Sequence, residues 1–331
     1  MRNESPVPIP DIDGNPVAAV RRQDLPDTAL PLLDSYDDIA ADRDRFLWRW
    51  LYHLFPTFRL SCVDDDRACP VRDAKLVASV FAVVADDVAE RHGDRATFDE
   101  LTKIPYSDRR PVPSRRDVDG DVVRFLTDVW EEFATLYESG PRTAEFTELL
   151  QFDLRQVFRA VEYSYLANDN PGLVSERELW AHDVHNMMIY VYADIDLANA
   201  QAFDSDELSL LRRVCDRTQR MARIGNWIST WKRELAEGDC SSGVVVHALE
   251  NDIVSRDRIR TLRRNPTDAV VCSTIDTIAE SDVEDHFLAR WRAEYENATR
   301  FASEIDSVDI EAYLEGFERI LGYHVTSEGL K

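Results

Sequence analysis

Apolar residues recur along this chain at three- and four-residue intervals over long stretches, and strict alternation of apolar and polar positions is nearly absent. The pattern predicts helices over roughly 72–92, 119–138, 143–167, 176–200, 206–236, 240–250, 255–263, 266–279, 282–304 and 307–322, with order beginning near "DDIAADRDRFLWRWLYHLFPTF". Short breaks carry turn chemistry, as in "SGPRT", "NDNPG", "AEGDCSSG" and "RRNPT". None is long enough to separate two units, and no fixed-period repeat argues for a solenoid. The expected fold class is all-α, a single large helical bundle over 36–331. Residues 1–35, rich in Pro and Asp and without periodicity, read as an extended or disordered arm.

A chain of 331 residues with 44% hydrophobic residues can bury a large core. It has no apolar run of the roughly 18 residues that a membrane span needs, and "MRNESPVPIPDIDGNPVAAVRRQ" lacks a signal-peptide core. The expectation is a cytoplasmic protein with no stable membrane insertion. A formal charge of −24, from 63 Asp and Glu against 39 Lys and Arg, repels phosphate backbones and so excludes nucleic acid as a bulk partner. Only four of the 39 bases are Lys, at positions 75, 103, 232 and 331, and the other 35 are Arg. An acidic, Lys-poor surface suits a salt-adapted, halophilic cytoplasm, where screening weakens self-repulsion. Five widely spaced cysteines, at 62, 69, 215, 240 and 272, form no CxxC and fit a reduced compartment.

Two stretches carry candidate chemistry. In "VFAVVADDVAERHGD" (80–94), Asp86 and Glu90 lie one helical turn apart on one face, while Asp87 is turned about 100° away. The six residues before them are wholly apolar, so the carboxylates emerge at the end of a buried segment, where uncompensated acids cost energy. Such a pair can hold Mg²⁺, which takes a few hard oxygens. In "RIGNWISTWKRELAEGDC" (223–240), Asn226, Thr230 and Glu234 fall at i, i+4 and i+8. Successive members drift by about 40°, so their oxygens form one gently spiralling stripe. A solvated helix face is the plainer reading of the first stretch alone, and for the rarer second spacing it stands as the lesser alternative.

Together the two stretches resemble the metal-binding signatures of class I terpene synthases. The first is DDxx(D/E), Asp86-Asp87-Val88-Ala89-Glu90. The second is (N/D)xxx(S/T)xxxE, Asn226, Thr230 and Glu234, with Arg233 as the expected base before the Glu and "ELAEGD" (234–239) as the usual continuation. The resemblance covers roughly 45–331 and implies an antiparallel bundle around a central cavity, the isoprenoid-synthase fold. It implies a Mg²⁺-dependent terpene cyclase, a lyase of isoprenoid biosynthesis that ionises a linear prenyl diphosphate, C15 or C20, releases diphosphate and cyclises the carbocation. Three Mg²⁺ would be held by Asp86, Asp87, Glu90, Asn226, Thr230 and Glu234. Arg233 would meet the diphosphate. A homodimer is common in the resembled family.

The family's diphosphate-sensing Arg, some 44–46 residues before the second motif, is replaced here by Trp180, Ala181 and His182; His182 or Arg177 would have to substitute. The usual C-terminal Arg-Tyr pair is missing from "YHVTSEGLK", leaving Lys331 as a replacement charge. Candidate cavity aromatics are Trp50, Phe81, Phe158, Tyr163, Tyr190 and Trp227. His182 and His185 make an HxxH without a third ligand, too little for zinc. "ENDIVSRDRI" (250–259) mimics the second motif but ends on Ile259, and its Ser255 reads as a helix N-cap. Dinucleotide, NTPase and hydrolase motifs are absent.

Two alternatives stand beside the cyclase. One is a chain-elongating or chain-joining prenyl synthase of the same fold. Elongating enzymes usually carry a second Asp-rich motif in place of the triplet, and the DxxxD matches here, Asp38–Asp42 and Asp117–Asp121, fall beside the arm and in a loop-like stretch. The other is a non-catalytic acidic helical protein with degenerate motifs.

Overall fold

The computed structural model describes residues 14–40, 42–170, 174–264 and 267–330. Those residues contain fifteen α-helices and no strand: α1 (Pro16–Arg21), α2 (Leu30–Ile39), α3 (Arg45–Leu54), α4 (Ala68–Glu90), α5 (Arg95–Leu101), α6 (Gly120–Glu138), α7 (Thr143–Asp169), α8 (Glu176–Ala181), α9 (Ile189–Ala198), α10 (Leu208–Ala236), α11 (Gly243–Glu250), α12 (Arg256–Arg264), α13 (Asp268–Ala279), α14 (Val283–Thr299) and α15 (Ile310–Thr326). Side-chain caps set many starts. Asp44, Asp94, Asp119, Ser242 and Asp309 each accept from a backbone N–H in the first turn of the helix that follows. Ser255 Oγ likewise accepts from the Arg258 N–H, as an N-cap should.

Helix α4 is buried over most of its circumference, with Val77, Val80, Phe81, Val84, Ala85 and Val88 all inside. It packs on α6, α7, α5 and α9, while α10 packs on α14, α15, α9 and α11. The two groups meet through α9. There Lys75 Nζ of α4 lies 2.8 Å from Asp196 Oδ2 of α9, both side chains 1% exposed, and the Leu60 N–H donates to the same oxygen at 3.0 Å. A buried pair with a third partner is a registry device for the core. At Gly316 of α15, a Cβ would sit 1.8 Å from the Thr57 carbonyl oxygen, so only glycine lets α15 lie this close to the 3₁₀ turn at Phe55–Phe58.

The structure differs from the sequence pattern in three places. Residues 14–35, expected within the arm, contain α1 and the start of α2: Asn15 caps α1, Pro16 suits its first turn, and Val20, Ala29 and Leu33 are buried. Residues 1–13 lie outside the described part, as does Lys331. The helix expected at 176–200 is broken. Between α8 and α9 the chain makes a 3₁₀ turn at Asp183–Met187 and then takes a left-handed conformation at Met188, φ 59°. Gln219 of α10 stabilises the break from inside the core: its Oε1 accepts from Ile189 N–H at 2.7 Å, and its Nε2 donates to Val184 O at 2.9 Å. The short α5 was not expected.

No helix among the described residues is long and apolar enough to cross a membrane. With a formal charge of −24, the folded chain repels itself more than the expanded one. Its Tm is therefore expected to rise from dilute buffer to molar KCl, and a calorimetric scan in which Tm falls with KCl would remove the case for salt adaptation.

Candidate active site

Helices α3, α4, α9, α10 and α15 and the segment between α8 and α9 enclose a cavity of about 830 Å³. Along α4 its lining runs from Ala82 through Asp86 to Glu90, the last residue of the helix. Along α10 it runs from Ala222 and Arg223 through Asn226 and Thr230 to Glu234. The lining along α4 thus turns from apolar to polar in its closing turns, whereas along α10 it is polar from Arg223 onward. The apolar wall comes from Trp50, Leu54, Phe55, Phe58, Met188 and Tyr192, with Ile320 beside His324.

The end of α10 explains the acidic turn that follows Glu234. Gly238 takes φ 90°, its N–H donates to Leu235 O at 3.2 Å, and the Asp239 N–H donates to Glu234 O at 2.8 Å. This pair of bonds closes a helix in a Schellman motif, which needs a residue free to adopt the left-handed region. The closure folds Asp239 back toward Glu234, so both carboxylates line the cavity.

The electrostatics are strained. Burial is the largest effect on all three acids of the pair and triplet. It pushes Asp86 up to about 6, with repulsion from Asp87 next, and Glu234 up to about 7, with Asp239 next. Glu90 is held well above the usual carboxylate range by burial, then by Asp86, Asp239 and Asp183. Glu90 Oε1 is buried and has no hydrogen-bond partner among the described residues. An orphaned carboxylate oxygen among other acids, beside an amide and a hydroxyl, is a donor set that fits a hard divalent cation such as Mg²⁺. No three of the cavity's carboxylates bring donor atoms within 4.8 Å of one another, so carboxylates alone do not form a closed cage.

These shifts set a pH dependence. A carboxyl whose folded pKa is raised contributes stability that is complete below its unfolded value near 4 and is lost as the pH rises through the folded value. With divalent ions chelated, the wild type is therefore expected to lose stability relative to Glu234→Gln as the pH rises from 5 to 8. Saturating Mg²⁺ should shrink that difference, because a cation favours the ionised form. Parallel Tm-against-pH curves for the two proteins in chelator would refute this account.

The sequence-derived residues separate into those the cavity gathers and those it does not. Asp86, Glu90, Asn226, Thr230, Glu234 and Arg233 line it. Asp87 does not: its carboxylate takes three bonds of 2.6–3.1 Å from the Arg43 guanidinium. The reason is the 100° step between consecutive helix positions. His182 is exposed and stands against Tyr163, ring centroids 5.3 Å apart, and Arg177 is also exposed. The inward residue of that turn is Asp183, which holds Arg223 through two 2.6 Å bonds, while Arg223 also donates to Asn226 Oδ1 at 2.8 Å. Neither DxxxD pair lines the cavity.

Of the six aromatics expected there, Trp50 alone is in the lining. Phe81 and Phe158 face each other in the core, Trp227 packs on Trp180 and Phe287, and Tyr190 stacks on His185. Phe55, Phe58, Tyr165 and Tyr192 take the wall positions instead. Sequence reasoning also missed Arg223, although its place one turn before Asn226 was a usable signal. Arg263, which lines the cavity from α12 and has no ion pair among the described residues, gave no local signal.

No family model matches the chain, and no curated protein matches it. Solved structures do match in fold, 34 chains in all. One is the heptaprenyl diphosphate synthase from Staphylococcus aureus, superposing with TM-score 0.56 over 93% of this chain and 94% of that one at 14% identity. The all-helical bundle around this cavity is thus the isoprenoid-synthase fold.

Proposed function

We propose that the protein is a Mg²⁺-dependent enzyme that ionises a linear prenyl diphosphate and cyclises the resulting cation. The observation that carries this reading is the cavity itself. Apolar and aromatic over one part, it ends among partly buried acids, and one of their oxygens, Glu90 Oε1, is buried with no hydrogen-bond partner among the described residues.

Mg²⁺ held by Asp86, Glu90, Asn226, Thr230 and Glu234 would supply the positive charge that stabilises a departing diphosphate. The open spacing of the carboxylates suits ions whose remaining ligands are diphosphate oxygens and water. Arg233, which sits against Glu237 at 3.0 Å, and Arg263 would contact the same leaving group. Arg223 would orient Asn226 through the bond it already makes. The prenyl tail would lie along Leu54, Met188 and Ile320, which exclude water, and the faces of Trp50, Phe55, Phe58 and Tyr192 would stabilise an allylic cation without attacking it.

Arg263→Ala is expected to raise KM for the diphosphate several-fold and to lower kcat as well, since its contact strengthens as charge builds on the leaving group. An unchanged KM would take Arg263 out of the site.

The solved neighbour favours a second reading, chain elongation, because it is itself a heptaprenyl diphosphate synthase. The Asn226, Thr230 and Glu234 triplet, in place of a second Asp-rich stretch, favours the first. Incubation in high KCl with Mg²⁺ and C10, C15, C20 or C25 prenyl diphosphate, each with and without isopentenyl diphosphate, separates them. Diphosphate and a cyclic hydrocarbon or alcohol formed without isopentenyl diphosphate would establish the cyclase. A longer prenyl diphosphate formed only with it would establish the synthase. Failure of the folded protein to release diphosphate under any condition would remove both.

A further inference from the structure

Away from the cavity, three helices bring one carboxylate and two imidazoles together. Glu176 opens α8, His247 lies on α11 and His286 on α14, and one donor atom from each falls within 4.8 Å of the others. His247 Nδ1 hydrogen-bonds Glu176 Oε1. His286 Nε2 faces that same oxygen at 4.0 Å, beyond hydrogen-bond reach, and the two imidazole rings stack with centroids 4.1 Å apart. Phe287 closes one side, its ring 5.7 Å from His247 and 5.3 Å from His286. Glu250 adds a second carboxylate, its Oε2 accepting from the Glu176 N–H at 3.4 Å.

A hydrogen bond between one histidine and one glutamate explains His247 and leaves His286 unaccounted for. Two protonated imidazoles stacked face to face would repel, and nothing in a simple ion pair requires the second ring to turn its Nε2 to an oxygen already engaged. Three donors converging from three separate elements are, in contrast, what a tetrahedral ion needs from the protein. Imidazole nitrogens select zinc-like metals over Mg²⁺.

From this convergence we propose that Glu176, His247 and His286 form a binding site for a zinc-like divalent transition metal, with its fourth position open to solvent past the half-exposed His286. The ion takes the place of the hydrogen between Nδ1 and Oε1. It ties α8 to α11 and α14, immediately ahead of the turn whose Asn186, Met187 and Met188 line the cavity. The proposal is independent of any reaction in that cavity, and its ligands are distinct from the acids there.

The test uses the full-length chain, free of any histidine tag and stripped with chelator. Titration with Zn²⁺ alone is expected to show one saturable site per chain at micromolar Kd or tighter, unaffected by millimolar Mg²⁺, with a rise in Tm. Co²⁺ in place of Zn²⁺ should give the intense visible absorption of a tetrahedral site. His286→Ala, a half-exposed position where folding is safe, should weaken binding at least tenfold and abolish the band, and Glu176→Gln should do the same. Glu234→Gln should leave both intact. The proposal is overturned by the absence of saturable Zn²⁺ binding to the wild-type chain, by an octahedral Co²⁺ spectrum, or by binding that survives His286→Ala and is lost in Glu234→Gln.

Discussion

Glu234→Gln is expected to lower the kcat for diphosphate release by about 10²-fold or more, the scale on which a single charge-stabilising contact acts, while the protein keeps its fold. Asp86→Asn should behave alike. Asp87→Asn, one residue away, should not: its carboxylate holds Arg43 and does not line the cavity. Its expected result is a lower Tm, with kcat reduced far less than in Asp86→Asn when both are assayed below their unfolding temperatures. Steady-state release of diphosphate together with a melting curve for each variant makes the comparison. If Asp87→Asn proved as inactive as Asp86→Asn and equally stable, the separation of the two acids drawn here would be wrong.

The second large effect concerns stability alone. Lys75→Met strands Asp196 in the core without its cation, and breaking one partner of such a buried pair costs about 3–5 kcal/mol. Urea unfolding followed by circular dichroism should show the loss as a lower midpoint with little change in slope. Adding Asp196→Leu should recover part of it, because no unpaired charge then remains. The recovery should be incomplete, since the Leu60 N–H loses its acceptor. A single variant as stable as the wild type would mean that Asp196 takes up a proton at little cost.

Much of this architecture was readable from periodicity because the helices are long and their apolar faces regular. The ends of α4, α6, α7 and α10 fall within a few residues of the pattern's limits. The break before α9 was not readable. The groups that satisfy it belong to Gln219, whose amide reaches it from another helix, and nothing local to 182–189 signals that help. In the site, the i, i+4 and i, i+4, i+8 spacings placed Asp86 with Glu90 and Asn226 with Thr230 and Glu234, because a helix fixes such angles. Asp87 was grouped with Asp86 on the strength of the motif, although the same geometry turned it away. The cavity aromatics were mostly missed. Phe55 and Phe58 sit in a 3₁₀ turn and Tyr192 follows the break, so which side each ring faces depends on packing between helices.

The Arg43–Asp87 contact bears on where this chain can be cut. Tyr36 of α2 accepts from the Arg43 N–H at 2.8 Å, and Arg43 in turn grips the helical turn that carries Asp86 and Glu90. A product trimmed to begin at residue 45 would keep every residue of both motifs. It would also leave the buried Asp87 without its hydrogen-bonded cation, with only Arg91 Nε at 3.9 Å opposite it, beside the acids that line the cavity. The leading segment is therefore a working part of the fold, and a clone that omits it would be a poor sample in which to judge the site.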